Sequence, residues 1–385
     1  MMRTLNAAVL RKYRGKTCLL RIDLNIGSGD SAGLFRLDAA MPTVKLLLRH
    51  GIKVVIVSHR GRPVPLDDGD VKPNAAARRK MEALSLGIFA PLIAVRVKTP
   101  VDFIQAPHVG ALTRAIREST AKVILADNIR FFRGEEANDT NFAKGLAKAA
   151  DFYVNDAFAV SHRKNASVCA VTAFLPSYAG PLLAREVAEL GAVMKKPVRP
   201  FVVIVGGAKA EDKLGVIERF WGKADAFLVG GGAANTMLAA EGIPVGRSLY
   251  EPDIVKDMKR YAFAGEIMLP VDVRESKRAI FDIGPKTEKQ FSDAIASAKT
   301  IVWNGPMGLY EKREFSRGTR AVWKAILKSR ARIVIGGGET IASGGLIPGF
   351  KKLISKRKNI FLSTGGGAML EFLAGKKLPG IEALS

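Results

Sequence analysis

The chain has 385 residues, is 48% hydrophobic, and sets 60 Lys and Arg against 36 Asp and Glu, a formal charge of +24. Such a length implies two domains or one large α/β domain, and the apolar content excludes a disordered chain. Two cysteines, Cys18 and Cys169, exclude a disulfide framework and a cysteine-only zinc site.

No apolar run approaches the roughly 20 residues of a membrane span, and the N-terminus lacks the apolar centre of a secretory signal. The cytoplasm is the expected compartment. Strand-like and helix-like stretches alternate from the start. "TCLLRIDLNI" (17–26) predicts a strand, "RLDAAMPTVKLLLRHG" (36–51) a helix, "KVVIVS" (53–58) a strand and "NAAARRKMEALSLG" (74–87) a helix. "AKVILADN" (121–128), "NFAKGLAKAA" (141–150) and "FYVND" (152–156) repeat the alternation. "LLAREVAELGAVMKK" (182–196) predicts one amphipathic helix, ended by "PVRP". A second series of strands follows: "FVVIVGG", "ADAFLVGGG", "EIMLPVDV" (266–273), "KTIVWNG", "ARIVIGGG" and "NIFLSTGGG". Near-continuous apolar strands between helices imply parallel sheets covered on both faces. The expected fold is α/β: two Rossmann-like domains, each a parallel β-sheet flanked by helices, joined near residues 180–198.

The charge suggests nucleic acid as a partner first, an anionic small substrate second and a merely basic surface third. The basic residues are scattered, with "KKPVRP" and "KKLISKRKN" densest, and neither zinc-finger spacing nor aromatic–basic interleaving occurs. Polyanion binding is therefore expected to be incidental.

The two halves end their strands differently. The first half carries Asp23, Asn25, His59, Arg62, Asn128, Arg130, Asp156 and Arg163 at its exits, and the second carries glycine clusters. Ligands of open α/β sheets bind outside the carboxyl ends of the strands. The first half thus suits a small charged molecule. The second suits a larger phosphate-bearing one, since glycine lets backbone N–H groups approach phosphate, although any single cluster could equally be a tight turn. None matches the GxxxxGKS or GxxxxGKT phosphate loop, and none forms a clean GxGxxG fingerprint.

Lys209 and Lys213 in "GGAKAEDKLGVIERF" are expected to share one helical face, where they repel unless an anion or solvent intervenes. Glu339 in "IGGGET" could hold Mg2+ on a nucleotide, because Mg2+ takes carboxylate and phosphate oxygens together, or could cap the next helix. Glu311 could accept ribose hydroxyls. Arg21, Arg36, Arg60, Arg62, Arg130, Arg133 and Arg163 lie near expected strand ends, and such crowding is costly without an anionic guest to take their bidentate hydrogen bonds. His59 and His162 each adjoin an arginine. No GxSxG or Cys–His pair stands out, so the expected chemistry is transfer by positioning and charge neutralisation, as in phosphoryl transfer.

In order and spacing, "RIDLN", "SHRGRP", "DNIRFFRGEEANDTNFA", "YVNDAF", "VGGAKAEDKLGVI", "GGGAANTML", "FDIGPKT", "WNGPMGLYE", "GGGET" and "STGGGAMLEFLAGKKLPG" resemble the phosphoglycerate kinase family over nearly the whole chain. The resemblance implies reversible phosphoryl transfer from 1,3-bisphosphoglycerate to ADP, giving 3-phosphoglycerate and Mg-ATP, in glycolysis and gluconeogenesis. It implies a monomer with no obligate protein partner, whose domains close about a hinge. Residues 1–180 would bind the glycerate and 181–197 would form the interdomain helix. Residues 198–375 would bind nucleotide, and the tail 376–385 would return to the N-terminal domain. Asp23, Asn25, Arg36, His59, Arg62, Arg130 and Arg163 would bind the glycerate. Lys209, Lys213, Gly231, Gly232, Asn304, Glu311, Gly338, Glu339, Thr340, Gly365, Gly366 and Gly367 would bind the nucleotide, with Glu339 reaching Mg2+ through it. Arg36, Lys209, Lys213 and Gly366 would be catalytic, Lys213 following the moving phosphoryl group.

This chain departs from the family pattern at four places. Glu339 replaces the usual aspartate, Asn165 a histidine, and Arg60 the middle leucine of "SHLGRP"; the loop 26–35 is short. Arg60 is expected to be no ligand and to belong to the general surplus of positive charge. Two rivals remain at this point: a nucleic-acid-binding or scaffolding protein on an inactivated kinase fold, and a kinase for another acyl phosphate or carboxylate.

Overall fold

The computed structural model describes residues 2–27, 33–65, 75–263 and 265–385. The chain forms two compact units, Met1–Val187 with Lys377–Ser385, and Ala188–Lys376. Positions 28–32 of the short 26–35 loop lie outside the described residues.

In the first unit the strands are β1 (Thr17–Arg21), β2 (Lys53–Val57), β3 (Val101–Ile104), β4 (Val123–Ala126), β5 (Phe152–Asn155) and β6 (Ser177–Ala179). They form one parallel sheet in the order β3-β4-β2-β1-β5-β6. Val54 to Val57 and Val123 to Ala126 are fully buried, as two covered faces require. Chain direction across the sheet reverses between β1 and β5, the place where such sheets open a crevice. Below it, Leu20, Val54 and Phe152 join Leu37, Val44 and Leu47 of the helix Leu34–Arg49 in one core.

The second unit contains β7 (Phe201–Val205), β8 (Ala226–Val229), β9 (Ile267–Met268), β10 (Val273–Ser276), β11 (Ala279–Ile283), β12 (Thr300–Asn304), β13 (Arg332–Gly336) and β14 (Ile360–Leu362). Six of them form a parallel sheet, β14-β13-β12-β7-β8-β9, whose direction reverses between β12 and β7. Trp303 of β12 and Trp323 of the helix Arg317–Lys328 meet edge-on at 4.6 Å in its core. The Trp303 indole N–H donates to the Gly305 carbonyl at 2.8 Å, tying the core to a strand exit.

Where one strand was expected over 266–273, there are two pieces. Pro270 cannot donate to a ladder, and the chain re-forms as β10, paired antiparallel with β11. The turn between them places Lys277 and Arg278 at φ of 50° and 62°.

The helix Pro181–Lys195 begins in the first unit, where Asp156 Oδ1 accepts from the Leu182 and Leu183 amides at 2.8 and 3.1 Å. Burial pushes this carboxyl from 3.8 up to about 6, against the pull of the Thr43 hydroxyl and the two amides. The folded value lies above the unfolded one, so the group's stabilisation is full below the unfolded value and is lost as pH rises through about 6. The difference corresponds to about 3 kcal/mol. The stability margin of wild type over Asp156→Asn should shrink by about that amount between about pH 4 and about pH 7, read by urea unfolding. A margin that does not change with pH contradicts this.

Candidate active site

The carboxyl ends of the first sheet bring several predicted residues together. Asp23, buried just beyond β1, accepts from the Asn25 amide at 2.9 Å and lies 3.4 Å from Arg36 Nη1. That same nitrogen donates to the Asn25 carbonyl at 2.9 Å. Asn25 Oδ1 accepts from the Gly61 amide at 2.8 Å, and Arg130 Nη1 donates to the Gly61 carbonyl at 2.6 Å. Arg130 Nε lies 3.1 Å from Glu136. Arg163 stands beside His162 at 3.3 Å. Arg62 is exposed, and no described contact ties it to this cluster.

His59 is 1% exposed, with Nδ1 3.1 Å from Arg21 Nη2. Guanidinium only donates, so Nδ1 accepts and the proton of a neutral ring resides on Nε2. Burial, followed by the charges of Arg21, Arg130, Arg163 and Arg36, holds its pKa well below the ordinary value. Four guanidinium groups thus act on one buried ring, the electrostatic signature of an anion cradle.

Sequence reading named Arg21 but missed the partners that hold the layer beneath. Arg21 Nε donates to Ser167 Oγ at 3.0 Å, and Ser167 donates in turn to Glu135 at 2.7 Å. Ser58 Oγ donates to the Ile22 carbonyl and accepts from the Leu24 amide, both at 2.8 Å. Arg60 corrects an expectation: its side chain is no part of the surface surplus. It is 5% exposed, sits over the Phe89 ring, and gives its hydrogen bonds to backbone carbonyls. Asn165, another departure, is buried, and its carbonyl accepts from Val168 and Cys169.

In the second unit the glycine exits of β7, β12 and β13 converge. Gly207 has φ of 84°, and a Cβ there would lie 3.6 Å from Gly305 Cα and 3.9 Å from Glu339 Oε2. Gly206 and Gly207 donate to the Asn304 and Pro306 carbonyls at 2.9 and 2.8 Å. Thr340 Oγ1 accepts from the Gly305 amide at 2.7 Å, while the buried Asn304 Nδ2 has no hydrogen-bond partner among the described residues. A side chain at Gly232 would strike the Ala208 carbonyl. Gly231, Gly232, Phe281, Met307 and Leu309 line a cleft of about 340 Å³, with Glu311 and Glu339 also on its wall.

Lys209 does not share a helical face with Lys213, because the helix begins only at Glu211. Gly207, with its positive φ, turns the chain just before it, and Lys209 remains in the exposed loop. Lys213 lies in the first turn of that helix and is 7% exposed, with no ion pair among the described residues. Burial lowers its pKa, while Asp212, Glu339 and Glu251 pull it back up. Glu251, unnoticed in the sequence, accepts from the Glu211 amide at 2.7 Å.

Glu339 is exposed in the first turn of the helix Gly338–Ala342, and its carboxylate accepts from no described residue. Gly366 precedes the helix Gly367–Leu373, and a Cβ there would meet nothing within 4 Å. The Gly365 amide donates to Ser363 Oγ at 3.1 Å.

The second unit has glycine-rich strand exits and the first an arginine-rich cluster, and the phosphoglycerate kinase family profile matches residues 9–376. The chain belongs to the phosphoglycerate kinase family. It is 39% identical to the phosphoglycerate kinase of Pelotomaculum thermopropionicum, over 96% of each chain. Against that of Chloroflexus aggregans it is 38% identical, over 97% of this chain and 96% of the other. The solved phosphoglycerate kinase of Pyrococcus horikoshii OT3 superposes with a TM-score of 0.80 at 31% identity, covering 97% of this chain and 96% of that one. The one from Coxiella burnetii gives 0.78 at 33%, covering 99% and 98%. The family's reaction is this chain's reaction: phosphoryl transfer between 1,3-bisphosphoglycerate and ADP, giving 3-phosphoglycerate and ATP. No helix among the described residues is long and apolar enough to cross a membrane.

Proposed function

We propose that the two ligands of this reaction divide between the units. The glycerate is held in the first unit by Asp23, Asn25, Arg36, His59, Arg62, Arg130 and Arg163. The nucleotide is held in the second by the cleft at Gly231 and Gly232, Glu311 at the ribose, and Lys209, Lys213, Asn304, Gly338 and Thr340 at the phosphates. The observation that carries the reading is Lys213: a lysine 7% exposed, with no ion pair among the described residues, stands at a glycine-walled strand exit where a phosphate would take up its charge.

The chemistry then follows from charge. In the phosphoryl-transfer transition state negative charge spreads over the equatorial oxygens between donor and acceptor. Lys213 neutralises part of it in a site partly screened from water, where one ammonium is worth more than in bulk solvent. Gly366 and Gly367 offer backbone N–H groups to the same oxygens. Arg36 keeps Nε and Nη2 available for the glycerate while Nη1 is spent on Asn25 and Asp23. His59, neutral and buried, donates from Nε2. Because the two ligands bind different units, transfer needs them brought in line and shielded from water.

Mg2+ would fit this site with most of its ligands drawn from outside the protein. Among the described residues no three His, Cys, Asp or Glu side chains converge on a metal position. An ion would take most of its oxygens from nucleotide phosphates and water, and Glu339, at the cleft wall and bonded to no other described residue, would supply the protein's carboxylate. When bound, Mg2+ offsets phosphate charge. In a coupled assay with 3-phosphoglycerate and ATP, Glu339→Gln should raise the Mg2+ concentration for half-maximal rate about tenfold. An unchanged Mg2+ dependence contradicts the role of Glu339.

A further inference from the structure

We propose that Arg60 is a positioning residue for the glycerate site, acting through Asn25. The inference rests on the assignment of Asn25, Arg36 and Arg130 to the glycerate, and it adds a residue that makes no contact with the ligand.

Arg60 sits at the centre of the first unit's strand exits, between His59 and Gly61. Its side chain makes its hydrogen bonds with three backbone carbonyls rather than with the groups of the cradle. Nε donates to the Ile26 carbonyl at 2.9 Å, one residue past Asn25. Nη1 donates to the Ala83 and Ser85 carbonyls at 3.0 and 3.3 Å, at the end of the helix Ala75–Leu84. The guanidinium carbon lies 5.8 Å from the centre of the Phe89 ring. One planar fork thereby fastens the segment after β1 to the segment that precedes Phe89.

The main chain of Arg60 is fastened too. Its carbonyl accepts from Asn128 Nδ2 at 2.7 Å, and Asn128 Oδ1 accepts from the Arg130 amide at 3.2 Å. Asn128 Nδ2 also reaches the Leu84 carbonyl at 3.1 Å. Four stretches of chain, after β1, after β2, after β4 and at the helix end, are therefore laced together at Arg60.

The link to the ligand is short. Asn25 accepts from the Gly61 amide through its side chain and from Arg36 through its carbonyl, so a shift at Ile26 moves the acceptor that orients Arg36. The Gly61 carbonyl receives Arg130, so the same shift reaches a second guanidinium. Leucine, the residue expected at this position from the family pattern, has no donor for any of the three carbonyls. Lysine has donors on a single nitrogen and cannot span both segments as a fork does. In this chain the arginine fastens the segment after β1 at the Ile26 carbonyl.

Steady-state kinetics of the full chain test this, with 3-phosphoglycerate and Mg-ATP varied separately. Arg60→Met should raise KM for 3-phosphoglycerate about tenfold and leave KM for ATP within about twofold, since a misplaced guanidinium costs up to about a hundredfold. Arg60→Lys should recover part of the loss. The Arg36→Ala, Arg60→Met double variant should be no more than about twofold worse than Arg36→Ala alone, because Arg60 acts through the Asn25 carbonyl that orients Arg36. Wild-type kinetics in Arg60→Met, an equal change in both KM values, or strictly additive effects would overturn the proposal. If Arg60→Met does not fold, Arg60→Lys decides: a KM rise of about threefold confined to 3-phosphoglycerate supports it, and no change overturns it. Should Asn25→Ala itself leave KM for 3-phosphoglycerate unchanged, the cradle assignment fails; a normal Arg60→Met beside a defective Asn25→Ala defeats the Arg60 inference alone.

Discussion

Replacing Lys213 with alanine is expected to lower kcat by about 10²- to 10³-fold, the typical loss on removing one preorganised charge from a transition state. KM for nucleotide should change far less, because the cleft around Gly231 and Gly232 remains. Stability should move the other way. Lys213 is largely buried with no ion pair among the described residues, and burial depresses its pKa, so the folded chain disfavours its charge. For such a base the folded state is most favoured where the group is neutral, and stability is lost as the pH falls through the folded value. Near neutrality Lys213 is thus a cost to the unliganded protein, and Lys213→Ala should hold or raise Tm while it removes activity. A variant that lost both activity and several degrees of Tm would mark Lys213 as a structural residue. Lys213→Arg should not restore the rate, because a planar fork cannot occupy the space of a compact ammonium.

Arg36→Ala is the second large effect, with kcat/KM for 3-phosphoglycerate expected to fall about 10²-fold. The side chain is held by the Asn25 carbonyl and Asp23, so it enters the cradle already oriented. Its loss removes bidentate donors and leaves the buried Asp23 carboxylate without its cation, which weakens the anion site twice over. Arg36→Lys should recover only a small part, since a lysine cannot both satisfy Asn25 and grip the ligand with a fork. KM for ATP should remain unchanged. A loss confined to kcat, with both KM values intact, would instead put Arg36 at the transferred phosphoryl group alone.

The fold class was readable because the strands are Val, Ile and Leu runs cut off by polar or glycine exits. "KVVIVS" became β2 and "FVVIVGG" became β7, with only their ends trimmed. The β10–β11 hairpin was not readable. Its turn residues, Lys277 and Arg278, adopt positive φ without the Asn-Gly signal that announces such turns. Short strands such as β3 and β6 gave too little pattern to register.

The clustering of the candidate site was legible where polar residues stand at the ends of apolar runs, as with Asp23, His59 and Arg130. Its supports were not. Arg21 was legible as an arginine at a strand end, but its partner Ser167 is 146 positions away; Glu251 meets the Glu211 amide across 40. Arg60 looked like one more surface charge, because nothing local reveals that three carbonyls from two distant segments will surround it. The expected Lys209–Lys213 face failed for a backbone reason: the positive-φ glycine exit delays the helix to Glu211.

The division of ligands between the two units is tested most directly by calorimetric titration of wild type, Arg36→Ala and Lys213→Ala, each with 3-phosphoglycerate alone and with Mg-ADP alone. Arg36→Ala should weaken 3-phosphoglycerate at least about tenfold and leave Mg-ADP within about twofold. Lys213→Ala should leave 3-phosphoglycerate binding untouched, so that any change it makes falls on Mg-ADP. An Arg36→Ala protein that binds 3-phosphoglycerate normally, or a Lys213→Ala protein that loses it, would contradict the account.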